Sequence, residues 1–291
     1  MHDYLLSIFL GIVEGLTEFL PVSSTAHLRI TEALLNIHLD DPFWKMYSIV
    51  IQLGAILCLP IYFRSRIARL FSTFPHGERE DRTALTHPVA LVLIAFVCTA
   101  VPALLLTKLI GKHLESLYVM GVSLLVGGIV MWIVDAYFGT PRPGSRHMTE
   151  RMEEISVFQA IWIGLCQITS AVFPGTSRSM STIAAGQVAG MSRSAALEFS
   201  FFLSMPTMIA ATGYDLLKTM HPKHGEALGR MPMDNHEWMI LLIGFVVSFI
   251  VALAVVAWFM NWVRKRGFTP FAIYRIIVGI AVLVWVMKGN G

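Results

Sequence analysis

Two carboxylates, Glu14 and Glu18, stand four residues apart inside the apolar frame Ile8-Phe9-Leu10 to Phe19-Leu20. On a helix that spacing puts both on one face. Paired acids in hydrocarbon are costly and count as functional candidates by default; the alternative is a helix lying in the interface with both acids in headgroup water. Side by side they offer oxygen ligands for a divalent cation such as Mg²⁺ or Ca²⁺, or a site that holds a proton for acid–base work. Hydroxyls follow in Ser23, Ser24 and Thr25, and His27 shares the face of Ser24 if a helix starts there. A second hydroxyl-rich stretch, Thr176-Ser177-Arg178-Ser179-Met180-Ser181-Thr182, carries a guanidinium. Such a group suits bidentate phosphate binding; its other role would be counter-ion to Glu14 or Glu18.

Each stretch follows a proline, Pro21 or Pro174. Proline ends an incoming helix and brings no N–H that would need a partner in lipid. Both segments therefore read as helix, break, hydroxyl-rich helix start. Ser and Thr at that start cap the second helix, whose free N–H groups and positive dipole end form an anion site. Irregular backbone at membrane depth is tolerated only where protein or a water-filled cavity surrounds it. Two such helix starts facing each other would bracket something negatively charged.

The solvent around these segments follows from composition. Of 291 residues 55% are hydrophobic and 14% charged, against roughly 25% charged in soluble proteins, and the mean hydropathy is +0.66. The apolar runs at 43–63, 88–108, 117–135, 196–217, 238–262 and 270–288 are each about as long as the roughly 20 residues a spanning helix needs. The expected architecture is an all-α polytopic membrane protein with six spans. His2 and Asp3 replace the basic start of a signal peptide, so the N-terminus is expected to be that of the mature protein. Cys58, Cys98 and Cys166 have unrelated spacings and read as packing residues rather than a disulfide or metal set. A net charge of +3, dispersed along the chain, gives no footprint for nucleic acid.

Orientation follows the basic residues of the loops. Arg64, Arg66, Arg69, Arg79, Arg82, Arg142, Arg146, Arg151, Arg193, Arg264, Lys265 and Arg266 fall on one side, which is assigned to the cytoplasm. Fewer fall on the other: Arg29, Lys45, Lys108, Lys112, Lys218, Lys223, Arg230 and Lys288. Both termini then face outward. Asp135 and Arg275, near cytoplasmic span ends, are expected to pair with each other or to snorkel, and Gln52 to line the cavity or bond a neighbouring helix.

Aligned without gaps, Gly11–Ser24 and Gly164–Ser177 match Gly with Gly, Glu14 with Gln167, Thr17 with Ser170, Pro21 with Pro174, Ser23 with Thr176 and Ser24 with Ser177. Three spans separate the copies, an odd number, so they run in opposite directions. The expectation is an inverted-topology repeat of two re-entrant segments, with halves of about 1–135 and 155–291 in one membrane domain. Such folds place their site near the bilayer midplane, where broken helices meet. Acids, hydroxyls, an imidazole, an arginine and two helix starts suit phosphoryl transfer on an anionic lipid.

The stretch Glu14-Gly15-Leu16-Thr17-Glu18-Phe19-Leu20-Pro21-Val22-Ser23-Ser24-Thr25-Ala26-His27 resembles the first signature of the undecaprenyl-diphosphate phosphatase family linked to bacitracin resistance. Pro174-Gly175-Thr176-Ser177-Arg178-Ser179-Met180-Ser181-Thr182 resembles its second, and Ile51-Gln52-Leu53-Gly54 and Tyr274-Arg275 also look familial. Ala26 stands where many relatives have Gly. The resemblance implies hydrolysis of undecaprenyl diphosphate to undecaprenyl phosphate and inorganic phosphate, at the periplasmic face of the bacterial inner membrane. It implies Glu14 and Glu18 as metal ligands and proton-transfer groups, and Arg178 as the diphosphate clamp. Ser24 is the implied nucleophile, activated by His27, with His27 or water as alternatives. Ser23, Thr25, Gly175, Thr176, Ser177, Ser179, Thr182 and Gln52 are the implied substrate contacts. The expected cofactor is Mg²⁺ or Ca²⁺. The expected partners are the polyprenyl diphosphate and membrane lipids, with a homodimer as an allowed assembly. A flippase returning undecaprenyl phosphate, and an inactive lipid- or bacitracin-binding protein, are the competing functions.

Overall fold

The computed structural model describes residues 2–38, 41–77, 82–106, 116–139, 148–221 and 229–289. Of the charges used for orientation, Arg79, Lys108, Lys112, Arg142, Arg146 and Lys223 lie outside the described residues. The described chain is helical: α1 (His2–Thr17), α2 (Ser24–Leu34), α3 (Pro42–Tyr62), α4 (Arg64–Ser72), α5 (Pro88–Leu105), α6 (Leu117–Phe138), α7 (Val157–Val172), α8 (Arg178–Val188), α9 (Arg193–Met220), α10 (Asn235–Arg266) and α11 (Thr269–Met287). Six of them, α3, α5, α6, α9, α10 and α11, are long and apolar enough to cross a membrane. The chain is a multi-pass α-helical membrane protein.

Hydropathy located each span, but side-chain caps set the starts. Ser192 caps α9 through the N–H of Ala195, and Asp234 caps α10 through that of Glu237. Both helices thus begin in polar sequence ahead of their apolar runs, where a composition window has no signal. Asp41 caps α3 with Pro42 in its first turn, and Ser156 with Gln159 forms a capping box on α7.

Packing exchanges helices between the two ends of the chain. α1 lies along α10, and α7 lies along α5; α6 pairs with α11, and α3 touches α9. Small residues allow the close approaches. A Cβ on Gly15 would sit 2.8 Å from the Ser248 carbonyl, and one on Gly11 2.9 Å from that of Gly244. Ser7 Oγ donates to the Ile240 carbonyl at 2.7 Å, and at the other contact Thr99 Oγ1 donates to that of Gly164 at 2.7 Å. A Cβ on Gly164 would meet the Ala95 carbonyl oxygen at 2.3 Å. That atom is helix backbone and cannot swing away. Gly164→Ala is therefore expected to destabilise the protein by about 1–3 kcal/mol, read as a lowered unfolding midpoint in detergent. Gly213→Ala, with nothing within 4 Å, is expected to leave the midpoint unchanged or raised.

Asp135 and Arg275 do not pair. Asp135, at the end of α6, accepts from Arg193 Nε at 2.7 Å, Gln187 Nε2 at 3.1 Å, the Phe268 N–H at 3.1 Å and Thr269 Oγ1 at 3.1 Å. One carboxylate thus ties α6 to α8, α9 and the start of α11, and its acceptor capacity is spent there. Arg275 sits two turns into α11, away from that end, and is 0% exposed.

Arg66, on the short helix α4, bonds Glu198 at 2.9 Å and pairs with Glu153 at 2.5 Å. Burial pushes the Glu153 carboxyl up, but the Arg66 hydrogen bond and charge outweigh it and hold the group below its ordinary 4.5. A depressed carboxylate contributes stability that is present above its unfolded value and lost as pH falls through the folded one. Glu153→Gln should lower the unfolding midpoint at pH 7, and the gap to wild type should close on acidification below about pH 4.5.

Candidate active site

Both Pro-centred segments are helix–break–helix units with the same dimensions. α1 and α7 each have 16 residues, and α2 and α8 each have 11. Ser23 caps α2 at φ 75°, its side chain accepting from the Ala26 N–H; Ser177 caps α8 at φ 74°, accepting from the Met180 N–H. These are uncommon backbone conformations for serine, and strained non-glycine positions concentrate at functional sites. The cap pairing shifts the repeat by one residue from the gapless alignment: Ser23, not Ser24, is the counterpart of Ser177. The second break holds one more residue between proline and cap, with Gly175 at φ 91°. A Cβ there would sit 2.8 Å from the Met120 carbonyl, so the turn takes only glycine.

The shift makes Ser24 and Arg178 the first residues of their helices, and both reach Glu18. Ser24 Oγ donates to Glu18 Oε2 at 2.5 Å, and Arg178 Nη2 donates to Glu18 Oε1 at 3.3 Å. The Glu18 side chain is 4% exposed and that of Arg178 10%. Ser179 Oγ adds a second tie between the copies, donating to the Leu20 carbonyl at 3.0 Å. Among the described residues, Nε and Nη1 of Arg178 and both carboxylate oxygens of Glu14 are buried without a hydrogen-bond partner. Buried polar atoms of this kind are rare unless a ligand takes them.

The remaining predicted residues divide. His27 is tied by both ring nitrogens: Nδ1 lies 2.7 Å from the Ser23 carbonyl and Nε2 2.8 Å from the Tyr274 hydroxyl. A carbonyl only accepts, so Nδ1 carries the proton, and in the neutral ring Nε2 accepts from Tyr274. The partner of the Ser24 hydroxyl is Glu18. Ser177 Oγ and Ser179 Oγ lie 3.0 Å apart at the start of α8. Thr182 is buried against Ser200 of α9 at 2.7 Å. Thr176 and Gln52 are half-buried and Thr25 is exposed.

Three residues of the site were not singled out as functional from sequence. Tyr274 meets His27, Glu32 is fully buried beside Arg29 and Ser48, and Arg275 binds the breaks. Glu32 had a signal, since it is an acid two turns beyond Ser24 in the same helix, α2. Among the described residues, no cluster of three or more His, Cys, Asp or Glu side chains forms a metal site.

The family described as Bacitracin resistance protein BacA matches residues 7–281. The chain belongs to this family. A relative from Koribacter versatilis named undecaprenyl-diphosphatase is 68% identical over 290 residues, covering 99% of this chain and all of its own length. Relatives of the same name from Rhizobium etli and Caldanaerobacter subterraneus are 40% and 39% identical, covering 99% and 94% of this chain and 98% and 93% of their own lengths. The resemblance drawn from the two motifs therefore extends along the whole chain. In this member of the bacitracin-resistance family the two motifs are the two breaks, joined at Glu18.

Proposed function

We propose that this protein hydrolyses undecaprenyl diphosphate to undecaprenyl phosphate and inorganic phosphate, regenerating a lipid carrier for envelope synthesis. The observation that carries the proposal is the junction of the copies. A buried guanidinium with two unpartnered nitrogens lies against a carboxylate that holds a serine hydroxyl. Two vacant donors suit phosphoryl oxygens, and the serine is that guanidinium's counterpart at the first position of a helix. The names of the relatives supply the substrate.

In this mechanism Ser24 Oγ attacks the terminal phosphorus while Glu18 takes its proton. The bond to the bridging oxygen breaks, and undecaprenyl phosphate leaves with the electron pair. Water then attacks the phosphoserine: its oxygen bonds the phosphorus as the bond to Ser24 Oγ breaks, the proton held by Glu18 returns to Ser24 Oγ, and inorganic phosphate leaves with the water's hydrogens. Arg178 and the N–H groups at the starts of α2 and α8 stabilise charge on the equatorial oxygens. The donor set fits a divalent cation: the Glu14 carboxylate is buried with both oxygens unpartnered, in the acid pair with Glu18. Glu14 would hold Mg²⁺ or Ca²⁺ with Glu18, and the cation would supply charge neutralisation for the diphosphate.

The same proposal makes α1–α2 and α7–α8 re-entrant segments of two inverted halves, with both termini and the site mouth outside the inner membrane. The exchange of α1 onto α10 and α7 onto α5 supports the two inverted halves. Transport alone gives no reason for the Glu18–Ser24 hydrogen bond. Purified protein in detergent should release phosphate from undecaprenyl diphosphate with Mg²⁺ or Ca²⁺ and stop with EDTA. No release under either cation would overturn the phosphatase assignment.

A further inference from the structure

Arg275 is 0% exposed, and among the described residues every hydrogen bond it makes goes to a backbone carbonyl. Nη1 donates to Pro21 at 3.1 Å; Nη2 donates to Ser123 at 3.0 Å and to Gly175 at 3.1 Å. Pro21 and Gly175 belong to the two breaks, and Ser123 belongs to α6. A guanidinium buried at membrane depth without a carboxylate partner is expensive. It repays part of that cost here by satisfying carbonyls that the helix breaks have stripped of their intrahelical donors. Space for it is kept by Gly127: a Cβ there would sit 2.2 Å from Nη2 of Arg275 and 2.9 Å from Cε of Met180.

The geometry points to Arg275 as a positioning residue that clasps the two breaks together and so sets Ser24 and Glu18 of one copy against Arg178 of the other. This rests on the proposed phosphatase site. A rigid planar fork reaches both carbonyls at fixed separation, which a flexible ammonium does not reproduce. Misplacing reacting groups by about 1 Å costs on the order of a hundredfold in rate. In this role Arg275 acts through the backbone of the breaks, by its bonds to the Pro21, Ser123 and Gly175 carbonyls, and not through a substrate contact. The loss should therefore fall on kcat and leave KM nearly in place.

The test is phosphate release from undecaprenyl diphosphate by Arg275→Lys and Gly127→Ala, with kcat and KM measured per folded molecule and the folded fraction taken from thermal unfolding and size-exclusion elution. The second variant displaces the guanidinium without removing it, so it informs even if the first fails to fold. Expected are folded proteins with kcat lowered at least about tenfold and KM within about twofold of wild type. Full kcat in either folded variant, or a loss confined to KM, would overturn the clasp. If wild type itself releases no phosphate, the phosphatase assignment fails instead. A clasp that holds the breaks for another purpose would then show as altered cysteine cross-linking between the two breaks in the same variants.

Discussion

Replacing Glu18 by glutamine should lower kcat for phosphate release by about a hundredfold to ten-thousandfold, the range for a positioned general base. The amide keeps the size of the side chain and loses the charge. It can still accept one hydrogen bond, but it cannot take the Ser24 proton, and it leaves the buried Arg178 guanidinium without its carboxylate. The loss should fall mainly on kcat, because Glu18 holds the Ser24 proton, with a smaller rise in KM from its bond to Arg178 and its share in the cation site. An unfolding midpoint close to wild type would assign the loss to chemistry. Full activity of Glu18→Gln would remove the base from the mechanism and leave Ser24 without an activating partner.

The second large effect belongs to Arg178. Arg178→Ala removes the donors left free to meet phosphoryl oxygens, and loss of one preorganised donor typically costs about a hundredfold to a thousandfold. Arg178→Lys should recover only a small part of that rate. An ammonium preserves the charge but not the fork that can bond Glu18 and a phosphoryl group at once. Comparing kcat/KM for the two variants checks this: equality of Lys with wild type would reduce Arg178 to a counter-ion for Glu18.

The spans were legible because hydrocarbon leaves so few compositions open to a helix that crosses it, and the breaks because prolines followed by hydroxyls have few other uses there. The acids and Arg178 stood out against an apolar frame. The register between the copies did not, because Ser23 and Ser24 are adjacent and either one aligns a hydroxyl with the second motif. Only the caps, both at positive φ, show that Ser23 matches Ser177 and that Ser24 and Arg178 hold equivalent places. Arg275 was placed near a span end with Asp135 because charge position along a helix says nothing about the carbonyls opposite. Those carbonyls, Pro21 and Gly175, lie 254 and 100 residues away in sequence. The bond of Thr182 to Ser200 and that of His27 to Tyr274 are likewise set by tertiary packing.

That the two breaks work as one catalytic unit is tested most directly by a double-mutant cycle on phosphate release with Glu18→Gln, Arg178→Ala and the pair together. Residues of one unit are strongly non-additive. The account predicts that the double variant is no slower than the slower single variant, within about threefold. Losses that multiply, so that the double variant falls by the product of the two single effects, would contradict a shared site.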